Sequence, residues 1–451
     1  MLSLYDTARQ EVVPLALRDP GRVSIYACGP TVYGPPHIGH GRSVLVFDVL
    51  RRYLAWTGLG VEFVSNVTDI DDKIIQRAQR EGRDSAEIAL KCESIWWQAL
   101  DRLGVNRPDH VPHATQYVDA MIELIESLLA VGAAYVTSDG VYLAVETVEG
   151  YGLLAHQSLE ALREGGGDRE IVGVEKRHPA DFVLWKLAKE GEPSWPSPWG
   201  DGRPGWHTEC VVMSLDLLGE GFDLHSGGLD LTFPHHENER AQAVALGRPF
   251  ANHWMHHGFV ELNGEKMSKS LGNVTNLLDL IEAYDPRAYR LLILRSHYRS
   301  PMEVTDTSLT DAAAALERLD AFARRTAELD AKPDPEVLEA FREAMDRDLD
   351  TPGAVDLLFR LVREANTALD HDDTEAASRA AAAVREIAAA VGLELRAAAA
   401  SVPAEVQELV DQRQAARAAQ DFALADELRD RITAAGWSVE DAAGVAAVRP
   451  L

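Results

Sequence analysis

The sequence predicts an α/β domain that is split by an insertion and followed by helices. Two short apolar runs with strand character, 23–27 and 61–65, flank a helical pattern at 43–56. Such a unit normally has parallel strands and a right-handed crossover. From about residue 308 the composition shifts to Ala, Leu, Arg, Glu and Asp with helical spacing. We therefore expect a Rossmann-type α/β domain with a helical bundle after it.

The insertion and the C-terminal part each have their own pattern. A helical pattern at 115–130, a strand-like run at 140–145 and a loop rich in Gly, Pro and Trp interrupt the α/β pattern. Pro403, after an alanine run, precedes a last helical pair at 404–436. The expected limits are 1–307 for the α/β domain with its insertion at about 110–200, 308–395 for the helical bundle, and 404–451 for a small C-terminal extension.

Length and composition fit a large enzyme without a membrane span. A chain of 451 residues is long enough for two or three domains with separate cores. It has no run of about 18 apolar residues and no basic start followed by an apolar stretch, so the cytoplasm is the expected compartment. Three widely separated cysteines do not suggest a disulfide framework. Without a heptad seam, a monomer is expected.

The charge bears on nucleic-acid binding. A formal net charge of −28 means that any contact with phosphates must come from a focused basic surface. Two local basic stretches exist, one at 287–299 and one at 413–431. For each stretch taken alone, a solvated helix face is the favoured interpretation.

A first signature indicates phosphate binding. His37, Gly39 and His40 stand together at the start of a long helical pattern. A helix start holds phosphate because its unpaired backbone N–H groups and its positive dipole end point outward. Two histidines at this spacing, taken alone, are more often an ordinary surface or core pair.

A second signature lies far along the chain. Lys266, Ser268 and Lys269 follow an Asn263-Gly264 pair that is expected to form a hairpin turn. Flexible ammonium groups suit a triphosphate whose charge shifts during a reaction. Alone, this segment is typical of a solvated basic loop, but both signatures in this order favour an ATP-cleaving site.

The two signatures resemble the HIGH and KMSKS motifs of the class I aminoacyl-tRNA synthetases. Longer segments are similar to the cysteinyl-tRNA synthetase family. They lie at 26–33, 66–73, 205–210 and 233–239, with a weaker match at 421–430. The resemblance implies an enzyme that activates L-cysteine with Mg²⁺-ATP and transfers it from cysteinyl-adenylate to the 3′-terminal adenosine of tRNA(Cys).

The same resemblance implies roles for individual residues. His37, His40, Lys266 and Lys269 would act on the phosphates. Further ATP contacts are implied for Gly39, Asp230 and Ser268, and Thr68 and Trp206 resemble positions that line the cysteine pocket. For Asp230, a turn residue after two glycines is the alternative interpretation.

A metal site is the clearest indication of substrate choice. His235 and Glu239 have the i, i+4 spacing that puts two ligands on one helix face. The residues alone do not connect them to Cys28 and Cys210, because free cysteines are usually small buried hydrophobes. The resemblance implies that these four side chains bind one zinc ion.

Zinc would explain how cysteine is chosen. A hydrophobic pocket distinguishes cysteine from serine only weakly, whereas a metal prefers a soft thiolate to a hydroxyl. His236 and Glu237 are expected as neighbours of this site rather than ligands, and Cys92 is expected to be structural.

The C-terminal residues bear on which molecule accepts the cysteinyl group. The resemblance implies that the bundle at 308–395 binds tRNA and that the extension at 404–451 reads its anticodon. Stacking on an unpaired anticodon base usually needs an aromatic or arginine plane, yet the last eight residues contain no tryptophan, although Trp437 lies nearby. Three alternatives remain: a ligase of the mycothiol-biosynthesis type that transfers cysteine to an amino sugar, an inactive tRNA-binding paralogue, and a general nucleotide-binding α/β enzyme.

Overall fold

The computed structural model describes residues 1–161, 175–262, 265–266, 275–397, 403–419, 421–435, 437–442 and 445–450. The strands are β1 (Ser3–Asp6), β2 (Glu11–Pro14), β3 (Arg22–Ala27), β4 (Gly60–Ser65), β5 (Ala134–Val136), β6 (Gly140–Leu143), β7 (Phe182–Leu187), β8 (Gly202–Pro204), β9 (Leu224–Gly228), β10 (His253–His257), β11 (Val260–Leu262), β12 (Glu265–Lys266), β13 (Met302–Glu303), β14 (Trp437–Ala442) and β15 (Val445–Pro450).

The α-helices follow the same order. They are α1 (Ile38–Trp56), α2 (Asp72–Glu81), α3 (Ser85–Arg102), α4 (Val118–Ala130), α5 (Trp206–Leu218), α6 (Glu237–Ala245), α7 (Leu277–Ala283), α8 (Pro286–Leu294), α9 (Asp306–Arg325), α10 (Pro335–Asp346), α11 (Thr351–Asp370), α12 (Thr374–Ala390), α13 (Ala404–Ala418) and α14 (Phe422–Ala434). Within the described ranges, none is long and apolar enough to cross a membrane.

A parallel sheet lies at the centre of the first domain. Its strand order is β10-β9-β3-β4, and α1 connects the neighbouring parallel strands β3 and β4. Leu45 and Val49 of α1 pack in one core with Val23 and Ile25 of β3. The α/β class is confirmed. Because the strands are parallel, the residues that follow β3, β9 and β10 meet at one edge of the sheet.

A second sheet lies between the strands of the first along the chain. Its order is β5-β6-β7-β8, and all its pairs are antiparallel. The helical pattern expected at 115–130 is a 3₁₀ turn, Ala114–Tyr117, followed by α4. The strand-like run at 140–145 is β6 and the start of a second 3₁₀ turn. The limits of the insertion stay a prediction.

The C-terminal third is helical up to its last segment. Helices α9 to α12 contribute to the same core as α1, and α13 pairs with α14. The hairpin of β14 and β15 was not predicted, since its short runs of Ala and Val show no clear period. The surface interpretation of the two basic stretches is wrong for Arg290 and Arg413, which are 2% and 4% exposed.

Candidate active site and metal centre

A cavity of about 340 Å³ opens at the edge of the parallel sheet. Both histidines of the first signature and the first cysteine of the expected metal set line it. Its walls include Cys28, His37, Gly39, His40, Trp206 and Asp230. The structure thus brings together residues that are separated by up to about half the chain.

The histidine signature forms the capped start of α1. His37 is the N-cap residue: its Nδ1 accepts a hydrogen bond from the His40 backbone N–H (3.3 Å), and the His40 Nδ1 accepts one from the His37 N–H (3.1 Å). The two rings stack with centroids 3.6 Å apart. Since a ring nitrogen that accepts carries no proton, each neutral ring holds its proton on Nε2. Each ring can therefore donate a hydrogen bond from Nε2 to an anion.

This geometry predicts different effects for two substitutions of His40. Asparagine keeps an acceptor near the Nδ1 position but loses the Nε2 donor, so we expect adenylate formation by His40→Asn to slow about 10- to 100-fold. Glutamine keeps a donor near Nε2 but loses the cap, so His40→Gln should retain more activity and lose about 1 kcal/mol of stability. Pyrophosphate-exchange rates and urea unfolding measure the two effects. The opposite ranking of the two rates would contradict this assignment.

The expected metal ligands form one cluster. One ligand atom from each of Cys28, Cys210, His235 and Glu239 lies within 4.8 Å of the others. The Cys28 Sγ is 3.6 Å from the Cys210 Sγ and 3.5 Å from the Glu239 Oε1, which is 2.9 Å from the His235 Nε2. Two thiols, an imidazole and a carboxylate, all held by separate elements at this edge, are a donor set that suits zinc.

Further histidines surround this cluster, and spacing along the sequence did not indicate them all. The His225 Nε2 is 2.6 Å from the Glu239 Oε2, and the His236 Nε2 is 3.3 Å from the Cys28 Sγ. His225, His236, Cys28 and Glu239 also lie close enough to form an alternative ligand set. Burial alone would raise the pKa of Glu239, but His225 and His235 hold it well below its usual value. The Glu239 side chain is therefore a carboxylate.

His236 and Glu237, both expected as neighbours of the metal site, have different positions. His236 bonds His256 through its Nδ1 (2.8 Å), so it supports the cluster from behind. Glu237 is buried and accepts from the Leu154 backbone N–H and from Arg240, outside the cluster. Glu237 therefore stabilises the local fold by connecting the start of α6 to the backbone of Leu154.

The two residues expected in the cysteine pocket differ in exposure. Trp206 is 37% exposed, lines the cavity and stacks on His235 with ring centroids 4.0 Å apart. Thr68 is 1% exposed, and its hydroxyl donates to the Glu209 Oε2 at 2.6 Å. Glu209 was not singled out from the sequence, although it stands beside Cys210. Among the described residues that line the cavity, Trp206 is present and Thr68 is not.

The second signature lies almost entirely outside the described residues. The backbone of Lys266 belongs to β12, which pairs with β11, while Ser268, Lys269 and the expected turn at 263–264 are not part of the described ranges.

Cys92 is buried in a small apolar cluster, with its Sγ 3.4 Å from Arg77, as a structural residue would be.

Arg42 joins the first signature to the strand that leads to the second. It is 1% exposed, and its guanidinium donates to the backbone carbonyls of Phe259 (2.6 Å), Tyr298 (3.0 Å) and Ser300 (2.5 Å). Burial lowers the pKa of Arg42 to about 10, so it stays charged at neutral pH. This role was not predicted, because an arginine inside an apolar helix pattern has no local signal.

Comparisons with known proteins show the family of the chain. Residues 15–314 match the family model of the class I (C) tRNA synthetase catalytic domain, and residues 340–396 match the DALR domain. A cysteine–tRNA ligase of Halorhodospira halophila is 46% identical over 452 residues, covering 98% of each chain. Another, of Geobacter sulfurreducens, is 43% identical over 473 residues with the same coverage.

Solved structures share the fold at low identity. A methionyl-tRNA synthetase of Mycobacterium tuberculosis in complex with methionyl-adenylate has a TM-score of 0.61 and 16% identity, covering 82% of this chain and 89% of that one. The parallel sheet, the capped histidine signature and the family matches together define a class I aminoacyl-tRNA synthetase. Within this class, the chain belongs to the cysteine–tRNA ligase family.

Proposed function

We propose that the chain activates L-cysteine with ATP and transfers it to the 3′-terminal adenosine of tRNA(Cys). One observation carries this proposal. Cys28, one of the four residues of the thiol, imidazole and carboxylate cluster, lines the same cavity as the capped histidine signature. A site that holds a phosphate near a metal suited to thiolates fits the activation of a cysteine carboxylate. One chain supplies both the phosphate-binding histidines and the metal ligands. We therefore propose that the protein acts as a monomer in the cytoplasm.

Zinc is the proposed metal, held by Cys28, Cys210, His235 and Glu239. The donor set fits, because it combines two soft sulfur atoms with an imidazole and an ionised carboxylate, and three of the four residues are buried. Bound there, the ion would favour the thiolate of cysteine over the hydroxyl of serine. Trp206 closes this part of the cavity beside His235.

The activation step depends on positioning and charge. The cysteine carboxylate attacks the α-phosphate of Mg²⁺-ATP and pyrophosphate leaves, a reaction in which orientation and charge stabilisation do most of the work. His37 and His40 would donate from Nε2 to phosphate oxygens, and Gly39 would let the phosphates approach the helix start. Lys266, Ser268 and Lys269 are proposed to contact the leaving phosphates, and Asp230 the nucleoside.

Cysteine-dependent exchange of pyrophosphate into ATP tests the first step. Charging of tRNA(Cys), with an amino sugar as the competing acceptor, tests the second. The DALR match favours tRNA over the amino sugar. Exchange without tRNA charging would indicate the amino-sugar ligase, and the absence of exchange would contradict both enzymes and favour the inactive paralogue.

A groove between α9 and α11 supports tRNA binding by the proposed bundle at 308–395. Arg318, Arg325 and Arg363 line it over Phe359, and none of its lining residues is acidic. The Arg295 guanidinium also lies over the Phe359 ring, 5.6 Å from its centroid. Burial and then the nearby charge of Arg318 lower the pKa of Arg295. Arg325 pairs with Asp370, so Arg318 and Arg363 are the lining arginines whose charge, in a chain of net charge −28, best suits a phosphate backbone.

Reversing two charges in this groove should weaken tRNA binding selectively. Arg318 and Arg363 are exposed, and we expect the double variant Arg318→Glu/Arg363→Glu to raise the KM for tRNA about tenfold or more. The slope of the logarithm of tRNA affinity against the logarithm of salt concentration should become less steep by about 2. Pyrophosphate exchange, which needs no tRNA, should not change.

The matched control for this groove is Arg379→Glu. Arg379 is an exposed arginine of α12 that pairs with Glu375 outside the groove. Equal effects of the groove and control variants on the KM for tRNA would reject the groove as the binding surface.

A further inference from the structure

His257 stands at the end of β10 and points into the cavity. It is 7% exposed and lines the cavity beside Gly228, its partner in the pairing of β10 with β9. Its Nδ1 lies 3.0 Å from the Gly258 carbonyl oxygen, an arrangement that places the ring proton on Nδ1. The Nε2 is then an acceptor. It is buried and has no hydrogen-bond partner in the described part of the chain.

The ring is held in this state by its surroundings. The His257 and Phe47 rings pack in an edge-to-face arrangement, with centroids 5.7 Å apart. Burial, with a smaller effect of the nearby Arg42, lowers the pKa of His257 to about 4. The imidazole is therefore neutral at physiological pH, and its Nε2 keeps the lone pair with which it can accept a hydrogen bond.

A second acceptor faces the same space. A Cβ atom built on Gly228 would lie 2.6 Å from the Asp230 Oδ1 and 3.6 Å from the His257 Nε2. The absence of a side chain at Gly228 therefore leaves open the space that both acceptors border. Two acceptors around one opening match two neighbouring donors, and the vicinal hydroxyls of a ribose are such a pair.

We propose that His257 is a specificity residue for the nucleotide: its Nε2 accepts a hydrogen bond from one ribose hydroxyl of ATP, while Asp230 accepts from the other. The inference rests on the proposed ATP-dependent activity and adds a residue that no sequence signature indicated. Because a buried acceptor left without a donor is unfavourable, the pair selects against nucleotides that lack one hydroxyl.

Three nucleotides and three variants test this role. We expect His257→Ala to lower kcat/KM for ATP about tenfold in pyrophosphate exchange. For one of the two analogues, 2′-deoxy-ATP or 3′-deoxy-ATP, the same variant should lose nothing, because the missing hydroxyl is the one that His257 binds. His257→Gln, which places an amide oxygen near the Nε2 position, should recover much of the loss with ATP.

His253→Gln is the matched control, since His253 is a buried histidine of the same strand whose Nε2 faces the Tyr5 carbonyl. It should leave the ratio of ATP to deoxy-ATP unchanged. Equal losses for all three nucleotides in His257→Ala, or no loss, would overturn the proposal. Calorimetric binding of the same nucleotides separates this result from a failure of the proposed activity: a parent chain that binds ATP without exchange still reports on His257.

Discussion

Replacing Glu239 with glutamine is expected to lower kcat/KM for cysteine by on the order of 10³-fold, beyond the range typical of an outer-sphere partner. The side chain is fully buried and ionised between His225 and His235, and a neutral amide is a much poorer metal ligand. Cys210→Ser should act in the same direction, because it exchanges a thiolate for a hydroxyl. ATP affinity should change little in both variants, since Glu239 and Cys210 do not line the cavity near the capped histidines.

Three measurements check this expectation: kcat/KM for cysteine in pyrophosphate exchange, ATP affinity by calorimetry, and zinc per chain by elemental analysis. Glu237→Gln is the matched control, because Glu237 is equally buried two residues away but bonds the Leu154 backbone and Arg240. The control should keep both zinc and cysteine use. If Glu239→Gln weakened ATP and cysteine binding equally, or kept its zinc and its cysteine activity, the proposed role of this cluster would be wrong.

The fold class was predictable because its signals are local. An apolar strand run, a helix and a second strand run lie within about 40 residues at the start of the chain, and they form β3, α1 and β4. The helix begins at Ile38, earlier than the apolar pattern indicates, because the reciprocal His37 and His40 caps extend it. Capping by histidine is unusual, so the sequence indicated a phosphate-binding helix start at these residues but not the reciprocal cap.

The metal cluster shows what spacing cannot predict. Cys28 and Cys210 are far apart along the chain, and only the sheet edge brings their Sγ atoms to 3.6 Å. Family resemblance joined them, whereas the residues alone connected only His235 and Glu239. Arg42 had no signal, because its role depends on backbone carbonyls supplied by distant segments. His257 had none either, because only the pairing of β10 with β9 brings it beside Gly228 and Asp230. The side chains of the lysine signature lie outside the described residues, so its phosphate contacts stay a prediction.

Loss of the carboxylate of Asp48 is expected to destabilise the protein by about 3–5 kcal/mol. Asp48 of α1 and Arg290 of α8 are 1% and 2% exposed, and the Arg290 Nη1 donates to the Asp48 Oδ2 at 2.7 Å. Arg290 also donates to the carbonyls of Leu103 and Gly104 and contacts that of Val391, just after α12. In Asp48→Ala the guanidinium stays buried without its counter-ion, which is the expensive half of a broken buried pair.

The double variant Asp48→Ala/Arg290→Met distinguishes a buried charge from a general packing defect. Removing both charges abolishes the buried uncompensated guanidinium and leaves only Arg52, whose side chain is 24% exposed, without its contact to Asp48. The double variant should therefore be more stable than Asp48→Ala although it carries one more substitution. The exposed pair of Glu375 and Arg379 is the control, and Glu375→Ala should cost less than about 1 kcal/mol. Urea unfolding of the four proteins gives the free energies. If the double variant were no more stable than Asp48→Ala, side-chain packing and not charge would account for the stabilising contact of α1 with α8 and the end of α12.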